Sequence, residues 1–170
     1  AGDRHRIRIE AEDDCGNRSS LEFSIEGRGE AFHTEADSAA VTLFPGRNSV
    51  VRADSEAEIR IQQGSLYEPL FLHPERLDTP QGGSGVVVLS PAYRFLEATT
   101  PLRTPALVTI RTQVPRKLQL RTVLAGRGRK GGLYHVGGSY SNGAVTAVTR
   151  TTGDLVVVAD TLAPAIRPLF

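Results

Sequence analysis

The sequence predicts an all-β protein, an antiparallel β-sandwich preceded by a β-hairpin. Apolar and polar residues alternate with a period of two along most segments. Turn formers break these segments mostly every ~8–12 residues, the spacing of all-β domains. No stretch shows a helical stripe with an N-cap and a C-terminal glycine.

The hairpin comes first. In HRIRIEAED, Ile7, Ile9 and Ala11 share one face, while Arg6, Arg8, Glu10 and Glu12 share the other. In SSLEFSIEG, Leu21, Phe23 and Ile25 alternate with Ser20, Glu22, Ser24 and Glu26. Such alternation marks antiparallel strands with one wet side. DDCGN between them supplies the turn, with Gly16 or Asn17 able to take positive φ. Arginines are expected to face glutamates across the wet side. A lone hairpin is marginal in water, so this one belongs to something larger.

GRGEAFHTEADSAA reads as a linker. Strand signals return at Val41: AVTLF, NSVVRA, AEIRIQ, YEPLFLH, GVVVLSPAYRFL, ALVTIRT, KLQLRTVLA, GLYHV, AVTAVTR and DLVVVA. PG, TPQGGSG, TP, GRGRKGG, SNG and TTG punctuate them. Asn142-Gly143 suits a two-residue hairpin turn, because both residues tolerate the left-handed region. The expected arrangement is a sandwich of roughly eight to ten short strands. The domain reading is a hairpin over 1–28, a linker over 29–40, the sandwich over 41–160 and a further linker over 161–170.

Composition narrows the function classes. At 170 residues, with 39% hydrophobic and 23% charged residues, the chain suits a folded domain rather than a disordered one. A net charge of +1 gives no global pull toward nucleic acid or membrane. No apolar stretch approaches the roughly 20 residues that span a bilayer. The single cysteine, Cys15, excludes an intrachain disulfide and a cysteine-rich metal site. Methionine is absent and the chain opens in mid-strand, so an excised piece of a longer polypeptide is expected.

Plain structural roles account for most of the candidate groups. His5, His33, His73 and His135 are scattered, with no pair at ligand spacing. EAEDD (Glu10 to Asp14) crowds carboxylates, yet it fits no twelve-residue calcium loop and reads better as a solvated turn. GRGRKGG places Arg127, Arg129 and Lys130 among four glycines, without the ending or the strand-to-helix context of a phosphate loop. Tyr134, His135 and Tyr140 lie close by in sequence and complete a candidate ligand-binding set with those three cations. No GxSxG elbow occurs, and Cys15 has carboxylates rather than cations beside it, the wrong setting for a nucleophile. The sequence therefore predicts no catalytic residue, no metal site and no cofactor.

EAEDDCGNRSSLEFSI resembles the last hairpin of an immunoglobulin-like extracellular repeat, with Asp14-Cys15-Gly16-Asn17 as its turn. ADTLAPAIRP resembles the start of another such repeat, through Asp160, Pro164 and Ile166. From Asn48 to Val158 the chain is similar to the β-sandwich shared by zonula-occludens proteins, netrin receptors and ankyrins. AEIRIQQGSLYEPLFL carries one signature, with Gly64 and Leu66 in place and Gln62 and Gln63 where that family has prolines. SPAYRFLEATTPLRTPALVTIRT carries the second, through Pro101, Pro105, Val108 and Ile110. The order of modules resembles the C-terminal β-sandwich region of Bacteroidetes cell-envelope proteins, as found downstream of lysostaphin-type peptidases. The metal-ligand motifs of those zinc enzymes are absent, so no catalytic residue carries over.

The resemblance implies a non-catalytic structural or docking module of a secreted, periplasmic or cell-surface bacterial protein, an accessory region of a cell-wall peptidase. Its partners would be neighbouring domains of the same polypeptide, with no nucleic acid and no membrane span. The alternative is a glycan- or peptidoglycan-binding module that uses the Arg127–Lys130 loop with Tyr134, His135 and Tyr140.

Overall fold

The computed structural model describes residues 4–27 and 40–162. Most of the expected linker over 29–40 lies outside the described residues, as do His33, Pro164 and Ile166. The chain divides into two compact units, Ala1–Asp37 and Ser38–Phe170.

In the first unit β1 (Arg4–Glu12) pairs antiparallel with β2 (Arg18–Glu26). The register sets Ile7 opposite Phe23 and Ile9 opposite Leu21 on one face. On the other, Arg4 faces Glu26, Arg8 faces Glu22 and Glu12 faces Arg18. Across the strands Arg6 pairs with Glu22 and Arg18 with Glu12 at 3.0 Å, as expected, whereas Arg8 pairs with Glu10 along β1 itself. The turn is tied by Asp13. Its Oδ1 accepts the N–H groups of Cys15 and Asn17, both at 2.9 Å, and Gly16 takes φ 81°. The Asn17 side-chain amide, at 2.8 Å from Oδ2, leads in holding the Asp13 carboxyl below its ordinary range. The carboxylate cluster thus serves the turn. Ile9, Leu21, Phe23 and Ile25 remain exposed on the apolar face.

The second unit is built from thirteen strands among the described residues, more than the eight to ten expected. Three features of short pairing account for the excess. They are β7 (Glu75–Leu77), β13 (Ser139–Ser141), and the division of GVVVLSPAYRFL into β8 (Val86–Val88) and β9 (Ala92–Arg94). The others are β3 (Val41–Leu43), β4 (Ser49–Arg52), β5 (Ala57–Ile61), β6 (Leu70–Leu72), β10 (Ala106–Arg111), β11 (Thr122–Arg127), β12 (Leu133–Gly137), β14 (Ala144–Thr149) and β15 (Asp154–Asp160).

Strands order as β13-β14-β10-β5-β4 in a five-stranded sheet. A six-stranded sheet runs β12-β11-β15-β9-β7, with β8 also on β15, and β3 pairs β6 in a ribbon. Every pairing is antiparallel. The main core lies between the sheets. Val51, Ile59, Ile61, Val108, Ile110 and Val145 come from the five-stranded sheet, and Tyr93, Leu124, Leu155 and Val157 from the six-stranded one. The fold is an all-β sandwich.

Strand β15 explains the unbroken apolar run DLVVVA. Leu155 and Val157 enter the main core, whereas Val156 and Val158 join Ala92 and Ala125 in a second cluster on the opposite face. A strand covered on both faces has no need of alternation. KLQL departs from expectation: Arg116–Arg121 form a 3-10 turn, and the strand starts only at Thr122. Pro115 sets the bend. Its carbonyl accepts the Leu118 N–H at 2.8 Å, and the Thr122 hydroxyl donates to the Leu118 carbonyl at 2.8 Å.

The Ser90-Pro91 break between β8 and β9 is bridged by a side chain. The Ser90 hydroxyl accepts the Val157 N–H at 2.9 Å and donates to the Pro91 carbonyl at 2.7 Å. Val157 is fully buried, so Ser90→Ala leaves its N–H unpaired in the interior. The expected loss is about 1–3 kcal/mol, read from urea denaturation. A loss near zero would mean that water or a shifted backbone takes over the bond.

Candidate functional site

The six predicted binding residues separate into three settings. Arg127 ends β11, and the loop beyond it is closed by two short bonds. The Gly128 N–H donates to the Gly132 carbonyl and the Gly131 N–H to the Gly128 carbonyl, both at 2.8 Å. Arg127 and Arg129 line one cavity of about 310 Å³, joined by Arg94, Glu97 and Asp154 from distant segments. Lys130 is exposed on the same loop. Arg94 is anchored, Nε donating to Asp154 at 2.7 Å and a terminal nitrogen to Glu75 at 3.2 Å. The Asp154 bond leads in holding the guanidinium pKa above its ordinary value, against a smaller opposing effect of burial.

Tyr134 pairs with Gly126 across β11 and β12, and its ring occupies the place of the Cβ that Gly126 lacks. His135 is exposed on the same strand, and consecutive strand residues point to opposite faces. Tyr140, on β13, is half-buried against the main core. Arg127 and Arg129 therefore meet at one cavity, while Tyr134, His135 and Tyr140 are divided between sheet faces and core. No group of three or more His, Cys, Asp or Glu able to hold a metal occurs among the described residues. No helix among them is long and apolar enough to cross a membrane.

Two surfaces escaped the sequence reading. The ribbon β3–β6 buries Leu43 and Leu72 but exposes Phe71, which pairs with Thr42, and Phe44 one diagonal step away. Arg47 lies over the Phe44 ring at 5.7 Å from its centroid. The Gly64 N–H donates to the Pro45 carbonyl at 2.7 Å, joining this turn to the loop that carries exposed Tyr67. The signal was present in YEPLFLH, where an aromatic stands at an outward position between two leucines.

The second surface is the outer face of the five-stranded sheet. Register aligns Val50, Arg60, Leu107 and Val148 in one row across β4, β5, β10 and β14. Val148 is 70% exposed and Val50 47%. A groove of about 710 Å³ follows this row, rimmed by Asn48, Gln62, Gln63 and Pro105. In the next row Glu58 is buried between two guanidiniums, Arg60 at 2.8 Å and Arg52 at 3.3 Å. The Arg60 hydrogen bond dominates and holds the Glu58 carboxyl below its ordinary range, with Arg52 and Arg111 adding to it against burial.

This predicts a pH signature. A depressed folded-state pKa gives stability that is complete above the unfolded value, roughly 4.3, and disappears as pH falls through the folded value. Glu58→Gln should cost about 1–3 kcal/mol at pH 7. Denaturation of both proteins from pH 7 to 3 should show the gap narrowing only below the unfolded carboxylate value. A gap independent of pH would show that the charge plays no part.

A search of curated proteins finds no match. The family model of the Zu5-like domain matches residues 42–160. Those residues enclose both sheets of the sandwich and the whole stretch from Asn48 to Val158 that carries the resemblance described above. The chain belongs to the Zu5-like domain family.

Proposed function

We propose that this chain is a non-catalytic structural and docking module of a secreted or periplasmic bacterial envelope protein, an accessory region of a cell-wall peptidase. The observation that carries the non-catalytic part is the all-β Zu5-like sandwich, a domain type that fits a structural role. Its interior is hydrocarbon from both sheets, and its constrained charges are taken up in separate ion pairs, Glu58 with Arg60 and Arg94 with Asp154. Envelope location and peptidase association rest on the resemblance of the two terminal segments to immunoglobulin-like repeats. The physical work is rigid presentation, a sandwich that spaces its neighbours and offers surface at both ends. Deleting residues 41–158 from the longer polypeptide this reading entails should release it from the wall and lower its activity there. Unchanged wall association and activity would overturn the docking reading.

A glycan- or peptidoglycan-binding module is the second reading, favoured by the exposed Phe44, Tyr67 and Phe71. Aromatic faces of this kind mark interaction sites. Titration with soluble wall fragments, followed by NMR, should shift amides near these rings or around Arg127 and Arg129. A spectrum without localised shifts would remove it.

A further inference from the structure

We propose that the groove across the outer face of the five-stranded sheet docks a short acidic, apolar-striped segment of a partner protein. The inference rests on the docking reading above and gives it a partner chemistry. It stands on three features of that face.

The first is an apolar row where a wet sheet face should be polar. Val50, Leu107 and Val148 occupy outward positions, in register with one another through Arg60. Their strand neighbours Val51, Val108 and Ala147 fill the core, so the outward residues contribute little to the sandwich itself. Contiguous exposed apolar surface on a folded domain is a mark of interaction.

Charge is the second. Arg52 and Arg60 share one carboxylate, Glu58, and Arg111 lies near enough to act on the same group. The guanidinium side chains of Arg52 and Arg60 remain 63% and 59% exposed. Glu56, whose carbonyl accepts the Arg111 N–H at 2.7 Å, adds a second carboxylate, so three cations meet two anions and the face keeps a surplus of about one positive charge beside its apolar row. Arginine forks are suited to partner carboxylates.

The third is size and rim. Four adjacent strands at ~4.8 Å spacing span roughly 14 Å, the length of about four extended residues. The volume of about 710 Å³ falls in the range of built ligand clefts. Gln62 and Gln63 at the rim carry amides able to bond a peptide backbone in either sense. A surplus of about one charge is too small for a phosphate backbone, whose binders neutralise many phosphates. A neutral glycan makes no use of the arginine surplus. An acidic peptide uses all three features.

The test is a titration of the whole 170-residue protein, isotopically labelled, with a capped hexapeptide alternating leucine and glutamate. The expected result is a saturable shift of amides at Val50, Arg60, Leu107 and Val148. The matching leucine–lysine peptide should leave them in place. Val148→Glu should weaken the acidic peptide roughly tenfold, by adding repulsion at an exposed position that the core does not use. Arg60→Gln should weaken it and reduce its salt dependence, which separates charge recognition from loss of fold. Diffuse shifts, equal response to the lysine peptide, or wild-type binding by Val148→Glu would each overturn the proposal. A failed titration alongside an intact deletion phenotype removes the groove alone. A deletion without effect removes the docking reading itself.

Discussion

Phe95→Ala lowers the unfolding free energy by about 3–5 kcal/mol, the cost of emptying an aromatic site that cannot collapse. Phe95 is 2% exposed and stacks on Tyr93, with ring centroids 6.4 Å apart and planes at 19°. Both rings hang from the stretch around β9 into the space between the sheets, among the largest buried side chains of the unit. The backbone there is not free to follow a smaller side chain inward. Asp154 pairs with Arg94 in register and by ion pair, and the Gly153 N–H donates to the Leu96 carbonyl at 3.0 Å. Losing the ring therefore leaves a void rather than a repacked core. The thermal midpoint should fall by roughly 10 °C or more, by circular dichroism. Phe71→Ala is the internal control. Its ring is 79% exposed, and its removal should change stability by no more than about 0.5 kcal/mol. Equal losses in the two variants would show that the sheets do not close over Phe95.

Legibility in the sequence followed the range of the forces involved. Alternation is local, so AEIRIQ and ALVTIRT could be assigned faces residue by residue, and the core positions Ile59, Ile61, Val108 and Ile110 follow directly. Turn chemistry is also local: Asn142 and Gly143 take φ 50° and 80° between β13 and β14. The misread segments depend on distant partners. KLQLR alternates like a strand, yet it turns as a 3-10 helix after Pro115 and Leu120 stands fully exposed there. The Ser90 hydroxyl that repairs the β8–β9 break acts on a residue 67 positions away.

The candidate surfaces show the same division. GRGRKGG announces a cationic loop, but Arg94, Glu97 and Asp154, which complete its cavity, come from elsewhere in the chain. The groove is harder still. It is assembled from four strands between Asn48 and Val148, and each contributes one outward apolar or charged residue that is unremarkable alone. Only the register turns them into a row.

The same register makes Gly138 a backbone position with a high expected cost of substitution. The chain leaves the six-stranded sheet at Gly137, the last residue of β12, and enters the five-stranded sheet at Ser139, the first of β13. One residue thus carries the crossing between layers, with φ 121° at Gly137 and 89° at Gly138. A Cβ at Gly138 would stand 2.6 Å from the Thr146 carbonyl oxygen and 2.8 Å from the Ala147 Cβ. Neither neighbour can step aside. Thr146 pairs with both Ser139 and Thr109, and Ala147 is packed in the core. Gly138→Ala therefore combines left-handed strain of about 1–2 kcal/mol with overpacking of about 1–3 kcal/mol. The sum, roughly 2–5 kcal/mol, should appear in denaturation midpoints together with amide shifts along β14. Gly143→Ala shares the positive φ but meets nothing within 4 Å, so it isolates the strain alone. If both alanine variants lost the same stability, the close approach of β14 at the crossing would be refuted.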